Sequence, residues 1–405
     1  MSWRNACFAA LGGAWLLGAN AAASFAADSE VLRIGVLGDH SSAYSGLGGK
    51  YIVEMVKMAV EDFGGKSLGK QIEIRFEDTQ LKADMASDIA RRWLNEGVDV
   101  IVDLPTSNIV FTVTPLAEQY NKILLVTTAG SSDISGSKCS PNIAHWNFDS
   151  YSVAHTSPSI LLDKGADTWF FVNTDSVTGT AIERDVTEIV KRKGGRVVGS
   201  VRTPADTSDF SSYLLQADAS KAKVIAFVPA GSAGVSVVKQ AVEFGLKRNG
   251  AEFIGLFMMP DDVKALGLET AQGLVYAAAF DPSHDAASKA FSDRFIKRMG
   301  KVPNMNMVAS YSAVLHYLKA VQSVGSKDTG KVMAKMREVP VRDVFTSDGH
   351  LRIDGRMAHS MFAVQVKTPA ESAGEWDLTK IIGTVSSDVA VRPLNAGGCR
   401  LVGSN

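Results

Sequence analysis

The segment Asp103-Leu104-Pro105-Thr106-Ser107-Asn108 carries the residues whose types and spacing say most about chemistry. It lies between an apolar run, Val98 to Val102, and a helical pattern, so Thr106, Ser107 or Asn108 can cap that helix with a side-chain oxygen. The N–H groups left free in the first turn, together with the positive end of the helix dipole, suit a carboxylate. A second hydroxyl-rich stretch, Thr127-Thr128-Ala129-Gly130-Ser131-Ser132-Asp133, ends the next apolar run, and its small residues let backbone N–H groups approach a bound group. Asp39-His40-Ser41, with Tyr44 close behind, follows the first apolar run in the same way. Either hydroxyl loop alone reads equally well as a cap or a turn. The two together, beside Asp39-His40-Ser41, favour a site. Further candidates stand later in the chain: Ser176 within Asp175-Ser176-Val177-Thr178-Gly179, Gly231 within Ala230-Gly231-Ser232, Asp261 after Met258-Met259-Pro260, and Phe280 before Asp281-Pro282. Each of these four also reads as an ordinary turn.

Catalytic patterns are missing where an enzyme of this kind would carry them. The glycines between Gly38 and Lys50 lack the G-x-G-x-x-G spacing that brings backbone against a pyrophosphate. Gly64-Gly65-Lys66-Ser67 resembles the end of a phosphate-binding loop, but Val60 stands where its first glycine belongs. There is no G-x-S-x-G elbow and no H-E-x-x-H pair, and the seven histidines are scattered. We therefore expect a binding protein with no enzymatic activity, no cofactor and no metal.

Composition bounds the remaining classes. The chain has 405 residues, 46% hydrophobic and 21% charged, and a formal net charge of −1. That length implies two domains, and the composition excludes a disordered or collagen-like chain. The near-zero charge gives no reason to expect nucleic acid or an anionic membrane surface. Arg4, the apolar run Cys7 to Leu17 and the small residues Ala21 to Ala26 match a secretory leader over residues 1–26, cleaved after Ala26, and so a periplasmic, soluble mature protein. The run is shorter than the roughly 20 residues that span a bilayer. With Cys7 in the leader, Cys139 and Cys399 remain as a pair in an oxidising compartment, and we expect a disulfide between them.

The elements that must position these loops alternate with regularity. Val31 to Leu37, Gln71 to Phe76, Val98 to Val102 and Lys122 to Val126 read as strands, with helical periodicity between them. After a Ser-, Gly-, Asn- and Pro-rich break (130–142) the rhythm restarts with Asp167 to Val172, Arg196 to Val201, Ala222 to Val228 and Glu252 to Phe257. Strands separated by helices imply parallel sheets covered on both faces, and ligands of such sheets bind at the carboxyl ends of the strands. The last third has long helices at Asp285 to Gly300 and Asn306 to Gly325, then two strands, Met361 to Val366 and Leu378 to Gly383. The α/β class is thus two doubly wound, Rossmann-like lobes. Residues 27–145 and 283–340 are expected in lobe 1, residues 146–282 and 341–405 in lobe 2, with the chain crossing three times.

Met58-Ala59-Val60-Glu61-Asp62-Phe63-Gly64-Gly65, Val100 to Ser107, Cys139-Ser140-Pro141-Asn142, Thr207 to Ser212, Tyr311 to Ala320 and Gly397-Gly398-Cys399 resemble the solute-binding components of ABC importers of the branched-chain amino acid type. The likeness is greatest to the sub-branch that binds aromatic carboxylates such as benzoates and cinnamates. It implies a type I periplasmic binding protein fold with a three-segment hinge, and an ABC permease as partner. It also implies a carboxylate held through Ser107 and the Ala129–Ser131 loop, and a second lobe that covers the ligand with Ser176, Gly231 and Asp261. The first loop lacks the proline usual in the aromatic-acid pattern, and no aromatic residue stands near Ser176.

The leading expectation is a monomer that captures a small organic carboxylate, of aromatic type, for a permease. The alternatives are an amino-acid binder, which needs an acid for the ligand ammonium (Asp261, then Asp175), the sensing component of a signalling system, and a secreted hydrolase, which the missing nucleophile motifs disfavour.

Overall fold

A computed structural model describes residues 31–403; the leader expected over residues 1–26 lies outside them. The first sheet contains β1 (Val31–Gly38), β2 (Lys66–Ser67), β3 (Lys70–Asp78), β4 (Val100–Asp103), β5 (Ile123–Val126) and β6 (Ile143–His145), in the order β2-β3-β1-β4-β5-β6. All neighbours except the β2–β3 hairpin are parallel. The second sheet has seven strands. Its parallel part comprises β7 (Thr168–Thr174), β8 (Arg196–Thr203), β9 (Val224–Phe227), β10 (Glu252–Gly255) and β11 (Val275–Ala278). After a small ladder of β12 (His350–Leu351) and β13 (Met357–Ala358), the tail adds β14 (Met361–Val366) and β15 (Thr379–Val385), giving the order β15-β14-β11-β10-β9-β7-β8. Both tail strands are antiparallel to their neighbours, so the end of the chain closes the second sheet. Because β1 and β7 each pair with strands on both sides, each sheet reverses its strand order in its interior, the doubly wound arrangement expected from the alternation.

The chain crosses between lobes three times: after β6 into the helix Ser150–Asp163, after β11 into the helix Ala286–Met299, and from the helix Thr329–Glu338 through β12 and β13 into β14. The long helix Met305–Val324 packs on the helix Gly49–Phe63 of the first lobe. It is buried along nearly its whole length, as its almost uniformly apolar and small sequence requires. Gly64 ends the helix Gly49–Phe63 in the left-handed conformation that glycine adopts without steric cost. Cys139 and Cys399 form a disulfide, with Cα atoms 5.5 Å apart, tying the segment after β15 back to the first lobe. Among the described residues no helix is long and apolar enough to cross a membrane.

Several elements differ from the sequence expectation, among them the short strands β2, β6, β12 and β13, the helix Ser150–Asp163 and strand β11. The helix Ser150–Asp163 was not anticipated, because Pro158 and a run of small polar residues hide its period. Its start is a capping box, with Asp149 accepting from the Ser152 N–H and Ser152 accepting from the Asp149 N–H. Strand β11 is only four residues long and follows a helix without a turn signature strong enough to mark it.

Candidate functional site

The carboxyl ends of the strands in both sheets face one cavity of about 160 Å³. From the first lobe it is lined by Tyr44, Leu81, Pro105, Thr106, Ser107, Asn108, Thr128 and Gly130. From the second come Thr174, Ser176, Val177, Thr178, Gly179, Ile182, Ala205, Val228, Ala230 and Phe257. None of these side chains is an acid, a lysine, an arginine or a histidine. Three helices begin at its walls: Ser107–Gln119 from the first lobe, and Val177–Arg192 and Gly231–Glu243 from the second. Thr106 caps the first by accepting from the Ile109 N–H at 3.4 Å, and Ser176 caps the second by accepting from the Gly179 N–H at 2.9 Å. Ala230 precedes the third with no side chain able to cap it. The amide-rich, positive ends of three helix dipoles thus converge on a space with no formal charge.

The backbone leading into the first of these helices is bent to reach this position. Asp103 has φ +87° and Leu104 φ +60°, conformations that L-residues avoid, and both side chains are buried. Such strain persists where surrounding structure enforces it and is common at ligand sites. The enforcement is visible: the Leu104 N–H donates to Leu37 O at 3.1 Å, and the Thr127 N–H donates to Asp103 O at 3.1 Å. Ser107 then becomes a hub. Its hydroxyl accepts from the Ser131 N–H at 3.1 Å and lies 3.0 Å from Thr178 Oγ1 of the opposite lobe. Gly130 is required by close approach, since a Cβ there would stand 2.4 Å from the Phe148 ring.

Six of the residues read from sequence therefore line the cavity: Tyr44, Thr106, Ser107, Asn108, Gly130 and Ser176. The other eight do not line it. Asp39 is buried and accepts from the N–H groups of Ser42 (2.9 Å) and Tyr44 (2.8 Å), which shapes the loop that presents Tyr44. His40 and Ser41 bind Asp78 instead, through the His40 N–H at 2.9 Å and the Ser41 hydroxyl at 2.5 Å. Ala129 uses its carbonyl on His145 Nε2 at 2.9 Å, and Ser131 supports Ser107 from behind. Gly231 has φ +58°, and a Cβ there would stand 2.6 Å from the Ala43 carbonyl, so only glycine lets the lobes meet at this point. Asp261 is paired with Lys301 at 2.8 Å, and the Lys301 ammonium also donates to Gly46 O at 2.9 Å. Phe280 is in the core.

Residues not singled out from sequence complete the walls: Leu81, Thr174, Ile182, Ala205, Val228 and Phe257 are prominent among them, while Thr128 and Thr178 belong to stretches marked from sequence. Thr174, Val228 and Phe257 each lie at or just beyond the carboxyl end of a strand. The topological rule that selected the first-lobe loops would have reached them if applied evenly to both sheets.

Burial governs the titration of the groups below the site. Desolvation pushes the Asp103 carboxyl up to about 7, against the hydrogen bond from the Thr128 hydroxyl and helped by the nearby Asp39 charge. Burial likewise pushes Asp262 up to about 8. It holds His145 down at about 4, so its ring is neutral where it meets Ala129 O. On the rim, Arg184 of the second lobe forks onto Asp133 of the first, with both Nη1–Oδ distances 3.1 Å, and Asp185 accepts from Ser132 at 2.7 Å.

Known proteins share this architecture. The model of the periplasmic binding protein family matches residues 31–375. A periplasmic binding protein from Burkholderia mallei, solved by crystallography, is 37% identical with a TM-score of 0.89, over 92% of this chain and 99% of that one. Leu/Ile/Val-binding protein homolog 6 of Brucella melitensis is 26% identical over 325 residues, covering 78% of this chain and 82% of its own. An ABC-transporter solute-binding protein from R. palustris, solved in complex with 4-hydroxybenzoate, superposes with a TM-score of 0.80 at 23% identity, over 88% of this chain and 97% of that one. With the family match spanning most of its length and the two-lobed α/β fold in place, the chain belongs to the periplasmic binding protein family, the solute-binding components of ABC transporters, and is a binding protein rather than an enzyme.

Proposed function

We propose that this protein captures a small organic carboxylate without an amino group, of the aromatic-acid type, between its lobes and delivers it to the membrane subunits of an ABC permease. The observation that carries this reading is the cavity's lining: converging helix N-termini, hydroxyls and an apolar wall, with no charged side chain. A carboxylate finds amide and hydroxyl donors there. An α-amino acid would bring an ammonium with no acid to receive it, and an unpaired buried charge costs several kcal/mol. Of the two acids an amino-acid site could use, Asp261 is held by the protein's own Lys301, and Asp175 is exposed and is not among the lining residues. Apolar Leu81, Ile182, Val228 and Phe257 suit a flat hydrophobic body. At about 160 Å³ the space is below the roughly 300–1,000 Å³ of drug-sized sites, which points to a small ligand. Export through a cleaved leader and action as a monomer complete the proposal.

The second reading, a branched-chain amino acid, draws on the name carried by the Brucella relative. A thermal-shift panel separates the two, since a ligand that binds only the native state raises its apparent stability. Stabilisation by benzoates or cinnamates supports the proposal. Stabilisation by leucine or valine with no response to any aromatic acid would replace it with the second reading.

A further inference from the structure

Asp103 sits directly behind the first-lobe wall, buried and without a cationic partner among the described residues. One of its oxygens is hydrogen-bonded to the hydroxyl of Thr128, which itself lines the cavity. The other faces the tight turn at Gly38, where a Cβ would stand 2.8 Å from Asp103 Oδ2 and 3.2 Å from His40 Nε2. The titratable groups around it are few. Asp39, from the β1 end, has its carboxylate occupied by the Ser42 and Tyr44 N–H groups. His40, on the same loop, is lowered from its usual value chiefly by burial, against the charges of Asp78 and Asp39, and its Nε2 has no hydrogen-bond partner among the described residues. From the β5 side come the Thr127 and Thr128 hydroxyls, of which Thr127 bonds Ser310 at 2.7 Å. None of these supplies a fixed positive charge.

This arrangement makes the polarity of the cavity floor depend on one proton. With Asp103 ionised, Thr128 must donate to it, so the threonine presents only lone pairs to the cavity, with a negative charge behind them. With Asp103 protonated, the carboxyl donates to Thr128 Oγ1, and the threonine hydrogen is free to point at a ligand oxygen. An anion is repelled by the first state and hydrogen-bonded by the second.

We infer that Asp103 is a proton-carrying positioning residue, and that an anionic ligand binds together with one proton drawn from solvent onto its carboxyl, which turns Thr128 into a donor. The inference rests on the carboxylate reading above and adds a linkage that reading does not require. Burial raises the Asp103 carboxyl into the neutral range, so the linkage acts at ordinary pH.

The test is titration calorimetry of the full chain with benzoate and, separately, leucine, from about pH 6 to about pH 9, in buffers of different ionisation enthalpy. Affinity for the acid that binds should fall about tenfold per pH unit above about pH 7, with about one proton taken up per ligand at the alkaline end. Asp103→Asn, whose amide can donate permanently to Thr128, should keep the affinity seen at low pH with a flat profile and no proton uptake. Thr128→Val should weaken binding and flatten the profile as well. A wild-type affinity independent of pH, or a pH dependence that survives in Asp103→Asn, would overturn the inference while leaving the ligand reading intact. Binding of leucine alone, with the proton uptake preserved, would overturn the ligand reading and support the linkage. If neither acid binds, both fail. Should the Asn variant not fold, infrared difference spectra of the wild type at alkaline pH decide: a protonated-carboxyl stretch gained on ligand addition supports the inference, and its absence refutes it.

Discussion

The two walls of the cleft are built on opposite principles. The first-lobe wall is polar and cross-tied: Ser107 to Ser131, Thr128 to Asp103, Thr127 to Ser310, and His145 to Ala129. The second-lobe wall is largely apolar, with Ile182, Val228, Ala230 and Phe257 beside the capped turn at Ser176. A wall whose donors are fixed by hydrogen bonds behind them can hold an anion without reorganising. A wall of apolar side chains selects size and shape, and tolerates exchange at lower cost. On the proposed carboxylate reading, the first lobe anchors the ligand and the second selects its body.

The strongest way to break this contrast is to move the anchored wall. Gly130→Ala drives a methyl into the Phe148 ring, and the loop must shift. We expect affinity to fall by about a hundredfold, as misplacements near 1 Å do, with a stability loss of about 1–3 kcal/mol. Calorimetry and urea melts measure the two. Ser107→Ala removes the hub without adding bulk, and the loss of a hydrogen bond to a charged group is worth about 1.5–3 kcal/mol, or roughly 10- to 100-fold in affinity, with folding retained. On the apolar wall, Val228→Ala should cost about tenfold or less, and chiefly for ligands with a ring, so that the ranking of acids changes more than the affinity for the best of them. Asp133→Asn, which weakens the rim pair with Arg184 while leaving the Arg184–Asp185 pair in place, should have the smallest effect, within about 1 kcal/mol, because Asp133 and Arg184 are both substantially exposed. Its signature would be salt dependence of closure rather than loss of binding.

Stability against pH sharpens the same comparison from below. A carboxyl raised in the folded state stabilises fully below its unfolded value and loses that contribution as pH rises through the folded one. For Asp103 the window runs from about 4 to about 7. His145 and His359, lowered to about 4 by burial, act in the opposite sense and add stability as pH rises from about 4 to about 6.5. The wild-type profile mixes these, so the informative quantity is the difference between wild type and Asp103→Asn. The variant's melting temperature should gain on the wild type as pH rises across that window and level off above it.

Much of the first lobe was legible because its strands are bounded by sharp signatures. Gly64-Gly65 stops a helix, Thr106 starts one, and the apolar runs before Asp103 and Thr127 are short and clean. The disulfide followed from having two cysteines left for an oxidising compartment. The second wall was harder to read. Phe257 and Val228 look like the tails of buried strands, and only their place at the carboxyl ends of those strands, not their residue types, marks them as cleft residues. The roles of Asp39 and Asp261 depend on partners in distant segments, the loop amides of Ser42 and Tyr44 in one case and Lys301 in the other. Sequence reading finds groups that could serve a ligand; only the folded arrangement tells which of them are already engaged by the protein itself.

On the proposed reading the cavity receives an anion, and no carboxylate stands among its lining side chains to neutralise an ammonium. A matched pair tests it most directly: 3-phenylpropionate and phenylalanine share a body and a carboxyl and differ by one amino group. Calorimetric titration of the full chain with both should give tighter binding of 3-phenylpropionate by at least about a hundredfold, the consequence of leaving a buried charge unpaired. Equal or tighter binding of phenylalanine would contradict the account.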